Sequence, residues 1–129
     1  MKHNILNLDG ESQLRRLVLL QSENNIERRD NLDLIPEARA VYAICGRVNG
    51  DLANPRYVGK TDNLQQSIRN HFDKAFIEDD SCFKVFVLSI KTKELVYQLV
   101  PDNYSLFVKY KEWKERFRPN CTEELNKIH

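Results

Sequence analysis

Two parts of this sequence carry side chains suited to chemistry. Towards the C-terminal end, Lys109, Lys111, Lys114, Arg116 and Arg118 stand against Glu112 and Glu115, the most basic element in a chain of net charge +1. Grouped cations suit phosphates, because each phosphate neutralised releases counterions. With so little net charge, any phosphate-binding surface must be local, and a solvated charged face is an equally good account. The second part, residues 40–72, holds two phenols, Tyr42 and Tyr57, together with Lys60 and His71. Each has an ordinary structural role available: Tyr is common in strands as a cross-strand aromatic, and a helical His can simply face water. Cys45, Cys82 and Cys121 are odd in number and show no metal-ligand spacing. That pattern predicts reduced thiols in an intracellular, cytoplasmic protein.

These residues need elements to hold them. Val41-Tyr42-Ala43-Ile44 and Arg56-Tyr57-Val58-Gly59 are β-prone runs on either side of a Gly, Asn and Pro-rich segment, which predicts an antiparallel hairpin. Strand one spans about residues 40–48, with Val41, Ala43 and Cys45 on one face and Tyr42, Ile44 and Gly46 on the other. Residues 49–55 form the expected loop. After Lys60-Thr61 the period changes to about 3.6: Leu64, Ile68 and Phe72 line one face of a helix over about residues 63–76. Either Thr61 or Asp62 can cap it, and Asp62 with Gln65 resembles a capping box. Beyond an acidic connector at residues 77–81, residues 82–90 are the strongest strand signal in the chain. Lys91-Thr92-Lys93-Glu94 reads as a turn, and residues 95–100 fit either a return strand or a short helix. The last long helix is expected over about residues 104–117, capped by Asp102 or Asn103, stopped by Pro119, with Leu106, Tyr110, Trp113 and Phe117 as its apolar stripe.

With 129 residues, 41% hydrophobic and 30% charged, the chain has the composition of one globular domain. No apolar run approaches the roughly 20 residues that span a bilayer, so no membrane partner is expected. The first residues lack the apolar core of a secretory signal. Ser12 can cap a helix carrying Leu14, Leu17, Val18, Leu20 and Ile26, which predicts an N-terminal helical extension over residues 1–35. The main domain then covers residues 36–129, approached through Leu34-Ile35-Pro36 in extended form.

The succession resembles the GIY-YIG endonuclease domain. Ala40-Val41-Tyr42 stands where that family has Gly-Ile-Tyr, and Tyr57-Val58-Gly59 stands where it has Tyr-Ile-Gly. Lys60-Thr61-Asp62-Asn63-Leu64, the helix ending Asn70-His71-Phe72, and Glu115-Arg116-Phe117-Arg118-Pro119-Asn120 extend the likeness over roughly residues 35–122. The resemblance implies an α/β fold with a small, mainly antiparallel three-stranded sheet flanked by helices, and hydrolysis of DNA phosphodiesters with Mg²⁺. It assigns Tyr42 and Tyr57 as general-base or water-positioning groups, Lys60 to phosphate and His71 to a supporting hydrogen bond. Arg69, Lys109, Lys111, Lys114 and Arg116 become the candidate nucleic-acid contacts.

Two positions depart from the family's pattern. Ser67 stands where the family carries its catalytic Arg, and Tyr110 where it carries its metal-binding Glu. A neutral Ser cannot replace a fixed guanidinium. Loss of one group that stabilises transition-state charge commonly costs on the order of a hundred- to a thousandfold in rate. Two hypotheses follow. In one the protein is an active Mg²⁺-dependent nuclease whose acid comes from Glu94, Asp102 or Glu112. In the other it is a pseudoenzyme with impaired or lost cleavage that binds DNA, branched or damaged, or a protein partner, and needs no cofactor.

Overall fold

The computed structural model describes residues 14–19, 30–48, 51–75 and 93–122. Its centre is a five-stranded mixed sheet. In chain order the elements are β1 (Arg15–Leu19), a short 3-10 turn (Asp30–Leu34), β2 (Ala40–Val48), β3 (Asp51–Thr61), α1 (Leu64–Ala75), β4 (Lys93–Leu99), α2 (Asn103–Phe117) and β5 (Cys121–Thr122). The strands lie in the order β1-β4-β2-β3-β5, antiparallel except for the parallel pair β3 and β5.

The β2–β3 hairpin and the period change after it are as expected. Tyr42 is paired with Gly59 and Ile44 with Tyr57. The expected loop at residues 49–55 is instead mostly strand, since β3 begins at Asp51, which is paired with Val48. Two register shifts, beside Cys45, let β3 carry the extra residues Arg56 and Asn54. An irregularity of this kind also accommodates Pro55, which has no N–H to give to a ladder.

Both faces of β2 are buried. Tyr42 and Ile44 join Tyr57, Leu64, Ile68, Leu95 and Tyr97 on the α1 side. Val41, Ala43 and Cys45 join Val58, Val96, Leu106, Tyr110, Trp113 and Phe117 on the α2 side. The alternation expected of β2 and the apolar stripe expected of the last helix are therefore both present. Leu64 and Ile68 of the α1 stripe are buried, while the side chain of Phe72 lies outside the described set, as does the strand expected over residues 82–90.

Four further expectations need correction. Residues 15–19 form a strand where a helix was expected. Leu14, Leu17 and Val18 suit a helical spacing, but Leu17 and Leu19 also alternate, and the open edge of β4 decides for strand, with Leu17 paired to Leu95. The sheet is thus five-stranded and mixed, not three-stranded and antiparallel. Lys93 and Glu94 belong to β4 and not to a turn: both are buried, and Arg16 Nε donates to Glu94 Oε1 at 2.7 Å. Residues 95–99, open between strand and helix, are strand. Cys45 is a free, buried thiol, whereas Cys121 is disulfide-bonded, its other half lying outside the described residues. Separation along the chain is no measure of separation in the fold, so the expectation of reduced thiols fails at Cys121. No helix among the described residues is long and apolar enough to cross a membrane.

Candidate functional site

The hairpin and the start of α1 build the site. The N-terminus of α1 is held by the approach to β2: Leu64 N–H donates to the Ala38 carbonyl at 2.9 Å and Gln65 N–H to the Pro36 carbonyl at 3.1 Å. Neither Thr61 nor Asp62 caps α1. The cap is Asn63, whose Oδ1 accepts from Gln66 N–H at 3.0 Å, while Thr61 Oγ1 accepts from Asn63 N–H. Gln65, expected in a capping box with Asp62, instead donates its side-chain amide to the Ile35 carbonyl. Arg39 ties the region together, reaching Asp62 at 3.1 Å and the Pro101 carbonyl at 2.9 Å. These bonds fix α1 in register against β3.

Three of the four candidate catalytic residues meet on the α1 face. The Tyr42 hydroxyl lies 2.7 Å from His71 Nε2. The Tyr57 ring stacks on Tyr42 with centroids 5.9 Å apart and meets the His71 ring edge-on at 4.6 Å. Gly59 makes this possible. A Cβ there would sit 2.5 Å from Tyr42 Cζ and 2.6 Å from its hydroxyl oxygen, so only a residue without a side chain lets the phenol lie across β3. A phenol hydrogen-bonded to an imidazole can pass a proton either way, which is the chemistry a water-activating base needs.

Lys60 is not among them. It follows Gly59 and so turns to the opposite face of the sheet, where its Nζ lies 5.6 Å from the Tyr110 ring centroid. Lys114 Nζ lies 4.2 Å from the same ring. Tyr110 itself is buried, only 2% exposed, within the stripe that packs α2 on the sheet. Ser67 sits on the other side of the same strand end, its Oγ 2.5 Å from Thr61 Oγ1. The end of β3 is therefore flanked by Ser67 on one face and Tyr110 on the other.

Apart from Lys111, the remaining candidates have structural partners. Arg69 pairs with Asp33. Lys109 Nζ is 3.6 Å from Glu112 Oε2, and the Arg116 guanidinium lies over Phe117 at 5.0 Å. Glu94 is in its ion pair with Arg16, and Asp102 is the N-cap of α2, its carboxylate accepting from Ser105 N–H at 2.7 Å. Those Ser105 hydrogen bonds hold the Asp102 carboxyl below its ordinary value. All three acids considered as metal ligands are thus engaged elsewhere.

The residues present do not fit a divalent cation at the end of β3. The side chain there is a buried phenol ring approached by two ammonium groups, and among the described residues no three His, Cys, Asp or Glu side chains converge to hold a metal ion. The sequence reading missed Thr61, the partner of Ser67. It also missed that Tyr57 and Lys60 differ by an odd number in a strand and so must face apart, a signal that was available.

No protein-family model matches the sequence, and no curated protein matches it. Solved structures do. The chain is similar to the GIY-YIG N-terminal endonuclease domain of UvrC from Thermotoga maritima, in a point mutant bound to its catalytic divalent cation, at 20% identity. The likeness covers 74% of this chain and 94% of that one, with a TM-score of 0.56. The same domain bound to magnesium gives 19% identity, 74% and 96% coverage and a TM-score of 0.53. A variant of it with a single Tyr replaced by Phe gives 21%, 74% and 94%, and 0.53. The fold is accordingly GIY-YIG-like.

Proposed function

We propose that this protein is a GIY-YIG-type nuclease domain in which DNA cleavage is impaired or lost, and which keeps the ability to bind nucleic acid. The observation that carries the reading is the Tyr110 ring with Lys60 and Lys114 beside it, where the resemblance requires a metal carboxylate. Ser67, where a guanidinium is required, is hydrogen-bonded to Thr61 and cannot bring charge to a phosphate. In support of site ancestry, the Tyr42–His71 hydrogen bond and the stacked Tyr57 persist. The DNA substrate is carried over from the neighbouring nuclease domain, whose structures hold a catalytic cation. No catalytic step through a metal is assigned to this chain.

The test is a nicking assay on supercoiled plasmid with Mg²⁺. The wild type should leave the plasmid intact. Ser67→Arg alone should change nothing, and Tyr110→Glu alone should at most create weak metal binding. The double variant should regain some nicking, because the two groups act on one transition state and their effects are coupled. Tyr57→Phe should then weaken the regained activity. Robust, Mg²⁺-dependent cleavage by the wild type would overturn the reading.

A further inference from the structure

The cations of α2 do not form one surface. At 100° per residue, Lys109 and Arg116 flank the apolar stripe on one side, while Lys111 and Lys114 lie on the other. The first pair is engaged, with Glu112 and with the Phe117 ring. On the second side two aromatic rings stand in water: Tyr104 is 79% and Phe107 62% exposed. Tyr104, Phe107, Lys111 and Lys114 follow at spacings of three, four and three and fall within about 80° of the helix circumference. They make a stripe about 15 Å long, two rings followed by two ammonium groups. Among the described residues Lys111 makes no ion pair.

We infer that this outer stripe of α2 binds single-stranded DNA, with unpaired bases stacked on Tyr104 and Phe107 and the backbone held by Lys111 and Lys114. Exposed rings beside cations are the combination that grips single strands, because every base offers a π-face and every linkage a negative charge. A duplex hides its base faces in the stack and presents only edges and phosphates, so the rings would be idle against it. The stripe also ends at the strand that carries the candidate site, on the opposite face of the sheet. Lys114 and Lys60 approach the same Tyr110 ring, and Lys60 adjoins Gly59, which carries the Tyr42 phenol. A strand lying along the stripe is thereby led to the end of β3.

The inference rests on the nucleic-acid reading above and is tested so that the two can fail separately. Fluorescence anisotropy with the full chain would compare a labelled 15-nucleotide oligo-dT with a blunt duplex of equal length, over a range of salt. The wild type should prefer the single strand. Tyr104→Ala with Phe107→Ala should weaken single-strand binding by roughly 5- to 150-fold per lost stacking contact and leave duplex binding alone. Phe107→Trp should keep the affinity and Phe107→Leu lose it, since the ring and not its apolar area does the binding. Lys111→Gln with Lys114→Gln should lower the slope of log K against log salt by about 1.4, two phosphates at ~0.7 each. Tyr104 and Phe107 are on the surface, and circular dichroism melts of the aromatic variants should be unchanged. Equal affinity for single strand and duplex, or aromatic variants that bind oligo-dT like the wild type, would overturn the inference and leave the nuclease-scaffold reading standing. Oligo-dT binding untouched by the aromatic variants, with self-association in sedimentation abolished by them, would identify the stripe as a protein contact and overturn it too. Failure of the wild type to bind either nucleic acid would overturn both.

Discussion

The sheet is buried on both sides, but its two faces are made of different chemistry. Against α1 it presents Tyr42, Tyr57 and the Thr61 hydroxyl to His71 and Ser67, two part-buried hydrogen-bonded pairs set inside an apolar frame. Against α2 it presents Val41, Ala43, Cys45, Val58 and Val96 to Leu106, Tyr110, Trp113 and Phe117, with the Arg16–Glu94 ion pair at the Cys45 end and the Lys60 and Lys114 ammonium groups beside Tyr110. Such polar groups must be satisfied, and each bond gains little net free energy. The close-packed aromatic face loses contacts at any vacancy. The comparison suggests a division of labour: packing under α2 holds the sheet, and α1 can hold reactive groups because it does.

Trp113→Ala should test that division hardest. The side chain is 1% exposed and meets Phe117 edge-on at 5.6 Å. Its truncation should cost about 3–5 kcal/mol. Tyr42→Phe, on the other face, removes only the hydroxyl and should cost about 1 kcal/mol. Urea denaturation of both variants measures the contrast, and equal losses would abolish it.

Cys45 sharpens the same contrast through pH. Burial, together with the nearby Glu94 carboxylate and only partly offset by Arg16, pushes its thiol from an ordinary 9.0 up to about 12. Above pH 9 the unfolded chain releases this proton and the folded one keeps it, so stability should fall as pH rises from 9 towards 12. The slope reaches about 1.4 kcal/mol per pH unit. In Cys45→Ala that part of the alkaline loss should vanish, seen as a shallower fall of the urea midpoint. A thiol-labelling reagent at pH 8 should meanwhile react with wild-type Cys45 only at the rate of unfolding. Rapid labelling of the native protein would show that the α2 face is not closed.

Gly59→Ala attacks the α1 face directly. The new methyl meets the Tyr42 ring, which must leave its place, at a cost of about 1–3 kcal/mol. The Tyr42–His71 bond should break with it, shifting the His71 ring resonances in NMR. Unchanged resonances would mean that the ring arrangement does not depend on the close approach. The smallest effect is expected at Arg118, which ends α2 in the left-handed region at φ 46° and donates its N–H to the Lys114 carbonyl. Arg118→Gly should stabilise by about 1 kcal/mol, read as a raised melting temperature.

Much of this was legible in residue order. The alternation of β2, the stripe of α2 and the Asp102 cap are local patterns, and each reappears at its position. β1 was not legible, because Leu14, Leu17 and Val18 fit a helical period, Leu17 and Leu19 fit a strand period, and only the distant edge of β4 chooses between them. The cap of α1 is Asn63 and neither Thr61 nor Asp62, because the carbonyls of Pro36 and Ala38 take the first amides of the helix, a contact between segments far apart in sequence. At the site, the meeting of Tyr42, Tyr57 and His71 was implied by the order of motifs. The separation of Lys60 from them lay in strand parity, and the split of the α2 cations lay in helical angle. The engagement of Lys109, Arg116 and Arg69 depended on tertiary neighbours and was not there to be read.

β5 gives the hairpin a temporal weakness. It covers the outer edge of β3, Cys121 beside Tyr57 and Thr122 beside Val58, from 64 positions further along the chain. At about 5–20 residues per second of synthesis, the edge beside Tyr57 waits roughly 3–13 s for its cover. A hairpin closes in microseconds, so it is fully formed for nearly all of that delay with one edge able to template foreign strands. The strand that carries the site is therefore the one this protein must shield while it is being made.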